Sequence, residues 1–142
     1  MIEKHPQLSK AFSGGMPEVS VFWLDGNTGV PCKARFDYLK PRAIVDLKSY
    51  ENTIGLPVRK AIARCVANYR YHIQAAFYLD GAIAARELIA EGRIFGDVDP
   101  GFPRAFVAAP ERHFLFVFQQ KGPAPLARGM VIGARPDARY RP

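Results

Sequence analysis

The stretch CKARFDYLKPRAIVDLKSYENT, residues 32–53, decides how this sequence is interpreted. It contains two apolar runs with the composition of β-strands. Asp37 lies near the end of the first run, and Asp46 and Lys48 lie within the second. Charged residues are uncommon in such segments, so their presence calls for a structural or a chemical explanation.

Alternation along a strand explains how these charges are tolerated. Because successive side chains point to opposite faces, we predict Asp46 and Lys48 on one side of the strand and Val45 and Leu47 toward the core. The short connection YLKPRA lets Asp37 fold back toward Asp46. The pattern predicts two carboxylates and one ammonium at a sheet edge.

Two carboxylates held together repel each other unless a cation lies between them. Carboxylate oxygens suit Mg²⁺ or Mn²⁺ better than zinc, so the pair is a candidate metal site. Such a cation can polarise a phosphodiester and activate a bound water, which Lys48 would orient. The competing interpretation is a surface ion pair between Asp46 and Lys48, with Asp37 capping a turn.

The segments around this stretch predict a sheet with a helical insertion. The sequence predicts a hairpin and a third strand, then a helical region from Pro57 to Glu91, and finally a loop and two further strands. The helical region is either one helix or two helices joined near Gly81. The predicted strands cover residues 18–25, 30–39, 42–50, 112–120 and 126–133, and the loop covers residues 92–104. This order favours a mixed sheet flanked by helices over an all-β barrel.

Composition suits one compact domain over residues 1–142, because 49% of the residues are hydrophobic. We expect a flexible lead-in at residues 1–15 and a polar tail at residues 134–142. No apolar run is long enough to span a membrane and no export signal is recognisable, so we expect a cytoplasmic protein. Cys32 and Cys65 fit neither a metal-binding nor a disulfide spacing and are predicted to be ordinary thiols.

Three motifs together resemble the PD-(D/E)XK nuclease superfamily, and most closely the RecE-type exonuclease domain of phage and prophage recombination systems. They are CKARFDYL, AIVDLKSYENT and YRYHIQAAFYLDGA. The resemblance implies a restriction-endonuclease-like α/β (α+β) fold in which Asp37 and Asp46 bind Mg²⁺ or Mn²⁺ beside the catalytic Lys48.

The third motif also contains a match to the Q-x-x-x-Y pattern of RecB-like nucleases, at Gln74 and Tyr78. On a helix these two side chains lie one turn apart and share a face, so both can face the active site. The alternative is that Tyr78 is a core residue and Gln74 bonds a backbone group. His72, which belongs to the same motif, is a candidate DNA contact.

The segment PEVSVFW resembles the family's entry strand and makes Glu18 a candidate water-mediated metal ligand, with an exposed strand-start glutamate as the alternative. Complete members carry a further ligand on an upstream helix, whereas seventeen residues precede Glu18 here. His5 does not match that helix. The resemblance implies that the chain corresponds to the C-terminal part of a family domain.

Charge supports an anionic partner, since the net charge is +7 and residues 33–70 hold nine Lys or Arg against three acids. Candidate phosphate contacts are Lys33, Arg35, Arg59, Lys60 and Arg64. The leading hypothesis is a metal-dependent exonuclease acting on DNA duplex ends, with a single-strand annealing protein and further copies of the chain as possible partners. The alternatives are a catalytically impaired DNA-binding or assembly module and a soluble domain that binds an acidic protein.

Overall fold

The computed structural model describes residues 8–122 and 126–136, with side chains described as far as Ile132. A short 3-10 helix at Ser9–Phe12 precedes five strands and three α-helices. In chain order these are β1 (Met16–Leu24), β2 (Pro31–Lys40), β3 (Ala43–Tyr50), α1 (Val58–Asn68), α2 (Tyr71–Ala90), α3 (Phe102–Ala108), β4 (Glu111–Gln120) and β5 (Ala127–Pro136).

The strands form one mixed sheet in the order β1-β2-β3-β4-β5. Neighbours are antiparallel except β3 and β4, which pair in parallel with Asp46 opposite Phe116. A parallel pair needs a long crossover connection, and the three helices supply it. The predicted mixed sheet flanked by helices, with an α+β architecture consistent with a restriction-endonuclease-like fold, is confirmed.

The larger core lies between the sheet and the helices. Phenylalanine rings from β2 and β4 cover the sheet face, with Phe36, Phe114, Phe116 and Phe118 all fully buried. Helix α2 meets them with small residues, which include Ala75, Ala82 and Ala85. Small side chains let the helix backbone lie close to the sheet and leave room for the rings.

A smaller core covers the opposite face, where Leu8 and Ala11 pack with Val45, Val117 and Ala127. The predicted flexible lead-in does not describe Leu8 and Ala11, because their apolar side chains cover the second face of the sheet. Residues 1–7 lie outside the described range. Strand β4 is covered on both faces, which confirms the prediction from its continuous apolar sequence.

The helical region breaks at residues 69–70 and not near Gly81. Arg70 takes a left-handed conformation with φ 52°, which ends α1 and starts α2. Gly81 lies inside α2 against Trp23, where a Cβ atom would lie 3.0 Å from the ring carbon Cη2. Gly81 therefore permits the close packing of α2 on Trp23 and does not mark a boundary between two helices.

Two predicted irregular segments contain regular structure. The predicted loop at residues 92–104 ends in the first turn of α3, because Phe102 and Phe106 bury their rings there. Residues 134–136 of the predicted tail belong to β5, paired with β4. Residues 137–142 lie outside the described range. Among the described helices, none is long and apolar enough to cross a membrane.

Replacing Gly81 by valine is expected to lower the free energy of unfolding by about 1–3 kcal/mol, because the new side chain overlaps Trp23 and Val21. The matched control is Ala76→Val at an exposed position of α2. If helix propensity alone mattered, Gly81→Val would stabilise the protein and Ala76→Val would destabilise it. Urea unfolding measures both, and a larger loss for Ala76→Val would contradict the packing explanation.

Candidate active site

Asp46 is the centre of the candidate site and is only 2% exposed. It lies on β3, on the face covered by α2, together with the core residues Ile44 and Tyr50. Gln74 of α2 donates a hydrogen bond from Nε2 to Asp46 Oδ2 at 2.9 Å. The sequence predicted only that Gln74 faces the active site, and the structure places its side-chain amide on the Asp46 carboxylate.

The predicted direction of the β3 side chains is wrong in one respect. Asp46 and Lys48 share a face, as expected, but it is the face of the larger core. Val45 turns to the smaller core on the other side, and Leu47 remains 41% exposed. Both faces of β3 are covered near its start, so alternation alone did not identify the face on which the helices pack.

Lys48 forms an ion pair with the buried carboxylate, with Nζ 2.5 Å from Asp46 Oδ1. Within the described residues, Oδ1 makes this ion pair but has no hydrogen-bond partner. The ammonium also lies 4.9 Å from the ring centre of Tyr71 and 5.8 Å from that of Phe116. Aromatic faces attract a cation, and these two hold Lys48 over the site.

Asp37 approaches from β2, where the ladder to β3 ends. The paired residues run from Lys40 opposite Ala43 to Tyr38 opposite Val45. Beyond this point Asp37 Oδ2 accepts a hydrogen bond from the Leu47 backbone N–H at 2.9 Å. The carboxylate thereby fixes the strand that carries Asp46 and leaves its other oxygen for a further partner.

Burial raises the pKa of Asp46 above its ordinary value, and the charge of Asp37 raises it further. Lys48 and Gln74 oppose this by favouring the ionised form, but they do not cancel the cost of burial. A negative charge is therefore held here at an energetic cost that an added cation would reduce.

Glu18 lies on β1 between Pro17 and Val19, which pair with Tyr38 and Phe36 on either side of Asp37. Its carboxylate contacts the guanidinium of Arg35 at 2.5 Å, and both side chains are exposed. Its backbone is left-handed with φ 55°, an uncommon conformation for a residue other than glycine. A metal role for Glu18 stays a prediction, and its observed partner is Arg35.

Tyr78 lies one helical turn beyond Gln74 and packs within the larger core. Its ring contacts Phe36 edge-on at 5.5 Å between centroids and Phe114 at 6.1 Å. This packing is the alternative that the sequence left open. A catalytic contribution from Tyr78 stays a prediction.

The basic residues proposed as DNA contacts do not form a single surface. Arg59, Lys60 and Arg64 are exposed on α1, on the helical side of the sheet, and His72 is exposed at the start of α2. Lys33 and Arg35 alternate with buried Ala34 and Phe36 and so point to the opposite side. Of these residues, those on the helices share the side of Asp46.

Sequence reasoning did not identify two parts of the site. The Leu47 backbone N–H that binds Asp37 has no side-chain signature, and Phe116 looked like any other core residue of β4. The parallel register that brings Phe116 opposite Asp46 could have suggested it. Cys32 is half-buried and Cys65 is buried, both are free thiols, and the prediction that they are ordinary thiols is confirmed.

The donor set fits a hard divalent cation of the magnesium type. Asp46 and Asp37 supply carboxylate oxygens, and the buried Asp46 Oδ1 has no hydrogen-bond partner among the described residues besides its ion pair with Lys48. In the part of the chain that the structure describes, no three His, Cys, Asp or Glu side chains are grouped to hold a metal. Mg²⁺ commonly uses one or two carboxylates and keeps several waters, so two carboxylates meet its needs.

This sheet, with an aspartate and a lysine on β3 facing a second aspartate on β2, defines a protein of the PD-(D/E)XK nuclease superfamily. A family model described as a PDDEXK-like domain of unknown function (DUF3799) matches residues 1–94. The chain belongs to that family. The matched range contains every predicted site residue, and no curated protein matches the sequence.

The raised pKa of Asp46 predicts a pH dependence of stability. The native state holds this proton more tightly than the unfolded state, in which the pKa is about 3.9. Below the unfolded-state pKa, the tighter binding of this proton contributes its full amount to the free energy of unfolding. This contribution is lost as the pH rises through the raised pKa of the native state. The difference in unfolding free energy between wild type and Asp46→Asn should therefore fall across this window.

Urea unfolding at a series of pH values measures this difference. Asp97→Asn is the control for loss of one negative charge, since Asp97 is exposed in the segment before α3. A wild-type advantage over Asp46→Asn that grows with pH would mean that attraction to Lys48 outweighs burial, contrary to the expected sign.

Proposed function

We propose that this protein is a divalent-metal-dependent DNA exonuclease that hydrolyses phosphodiester bonds at duplex ends. The observation that carries the proposal is the buried Asp46 carboxylate, which contacts Lys48 and Gln74 and lies within the electrostatic influence of Asp37. A buried charged cluster of this kind is costly to a domain core, and perturbed carboxylates concentrate at functional sites.

Each member of the cluster has a role in this proposal. Asp37 and Asp46 would hold Mg²⁺ or Mn²⁺, which supplies charge stabilisation at the phosphate and lowers the pKa of a bound water. Gln74 fixes the orientation of the Asp46 carboxylate through one oxygen. Lys48, held by two aromatic rings, offers a proton-bearing cation to the attacking water or to the charge that develops on the phosphate.

The biological setting of the proposal follows from the RecE-type resemblance. We propose that the enzyme prepares single-stranded DNA ends for phage or prophage recombination in the cytoplasm. A single-strand annealing protein would then receive its product, and further copies of the chain would enclose the DNA. The exposed cations of α1, which are Arg59, Lys60 and Arg64, are the proposed phosphate contacts on the side of the site.

A second candidate is a nuclease-fold module that binds DNA without cutting it. One observation favours it, namely the direct ion pair of Lys48 with Asp46. A lysine that remains on the carboxylate would compete with a metal. This candidate predicts salt-sensitive DNA binding without metal-dependent degradation.

Degradation of an end-labelled linear duplex distinguishes the two. With Mg²⁺ or Mn²⁺ we expect the wild type to release nucleotides and a chelator to stop it. Asp46→Ala and Lys48→Ala should each lower the rate by about 100-fold or more, since each removes a preorganised charge from the reacting phosphate. Exposed Asp97→Ala is the matched control.

Equal rates in wild type and both variants would overturn the assignment of these residues. DNA binding without degradation in every sample would favour the module that binds without cutting.

The contact of Gln74 with Asp46 predicts an effect on metal affinity that is independent of catalysis. Gln74→Leu removes the donor that orients the carboxylate, and we expect Mn²⁺ to bind about 10- to 100-fold more weakly. The rise in melting temperature with added Mn²⁺ measures this affinity. Gln119→Leu is the control, because Gln119 alternates to the opposite face of β4 from Phe118. Equal Mn²⁺ responses in the two variants would contradict the role given to Gln74.

A further inference from the structure

A second recess lies beside the candidate active site, at the carboxyl end of β3. Its volume is about 570 Å³, and its lining is mostly polar. The loop after β3, helix α1 and the start of α2 enclose it, and Tyr71 belongs to its wall. Because Lys48 lies over the ring of Tyr71, the recess adjoins the cluster around Asp46.

An aromatic stack forms one wall of this recess. The rings of Tyr69 and Tyr71 lie 5.5 Å apart between centroids and are nearly parallel, at 20°. Tyr71 in turn packs on Phe116 and Phe118 of the core, at 5.6 and 6.2 Å. Tyr69 is 69% exposed, so one of its faces is supported by the stack while much of the ring is open to solvent.

The break between α1 and α2 creates this stack. In a continuous helix two residues separated by one position point in different directions and do not touch. Arg70 lies between the two tyrosines with φ 52°, and this left-handed residue turns them to the same side. The conformation is strained for arginine, and such strain persists where the surrounding structure imposes it and is common at ligand sites.

The same recess carries cations suited to phosphate. Arg64 of α1 and Lys121 after β4 both belong to its lining, against the single acid Glu51. Its far side is held rigid by Asn52, whose side chain donates to the Leu56 carbonyl and accepts from the Leu56 N–H, both at 2.8 Å. The recess therefore combines a fixed wall, positive charge and an exposed ring.

We propose that Tyr69 is a stacking platform for the base of an unpaired nucleotide at a DNA end, with Arg64 and Lys121 contacting its phosphates. This rests on the proposed function, because it assigns a substrate subsite to the same active site. Exposed aromatic rings beside basic side chains are the usual means of binding single strands without sequence preference. The subsite would hold the strand end while the neighbouring phosphate lies at Asp46 and Lys48.

DNA binding in the presence of a chelator tests this without requiring cleavage. Fluorescence anisotropy at low salt would compare a labelled single strand, a duplex with a short unpaired end and a blunt duplex. We expect Tyr69→Ala and Tyr69→Leu to bind the first two about 5- to 100-fold more weakly, as loss of one base stack predicts. Tyr69→Phe, which keeps the ring, should bind as the wild type does.

A spectroscopic readout separates stacking from a merely structural role. A 2-aminopurine base at the unpaired end should be quenched by wild type and by Tyr69→Phe but not by Tyr69→Leu. Phe95→Ala is the control for loss of an exposed ring, since Phe95 is 90% exposed in the segment between α2 and α3 and does not line this recess.

Unchanged binding by Tyr69→Leu would overturn the proposal, as would an equal defect in Tyr69→Phe, which would assign the effect to the hydroxyl. Absence of single-strand binding by the wild type would overturn it too. Ring-dependent binding without any nuclease activity would support the subsite and overturn only the proposed reaction.

Discussion

The structure depends on a carboxylate that is held where a core residue would ordinarily be. Asp46 lies in the middle of the sheet, opposite Phe116 on a parallel neighbour and beneath Gln74 of α2. For this contact to form, α2 must lie close to the sheet, which its alanines and the approach of Gly81 to Trp23 permit. The packing of the helix and the position of the charge are thus one arrangement.

Burying the charge of Asp46 has an energetic cost, which the neighbouring side chains reduce but do not cancel. Burial and the neighbouring Asp37 both disfavour the ionised form of Asp46, and the contacts with Lys48 and Gln74 favour it. Replacing such a cluster with apolar residues is often neutral or stabilising in other proteins. The placement of these groups is therefore better explained by chemistry at the site than by the stability of the fold.

Alternation in RAIVDLKSY was enough to predict that Asp46 and Lys48 share a face, and the three motifs together predicted the class of fold. Alternation did not reveal which face, because Ile44 and Val45 are equally apolar and both faces of β3 are covered there. The helix break was also missed, since Arg70 adopts a conformation that sequence reasoning assigns to glycine. The role of Leu47 depends on a backbone N–H, which every residue other than proline carries.

The chemistry of the site and its burial come from different parts of the chain. The family match at residues 1–94 contains Asp37, Asp46, Lys48 and Gln74, whereas the rings of Phe116 and Phe118 belong to β4 beyond it. Phe116 pairs opposite Asp46, and both rings support Tyr71, over which Lys48 lies. Because the pairing of β3 with β4 joins residues about seventy positions apart, the perturbed carboxylate forms only when this long-range contact does. The electrostatics of the site are therefore a property of the complete sheet, and the motif residues alone would remain an ordinary solvated group of charges.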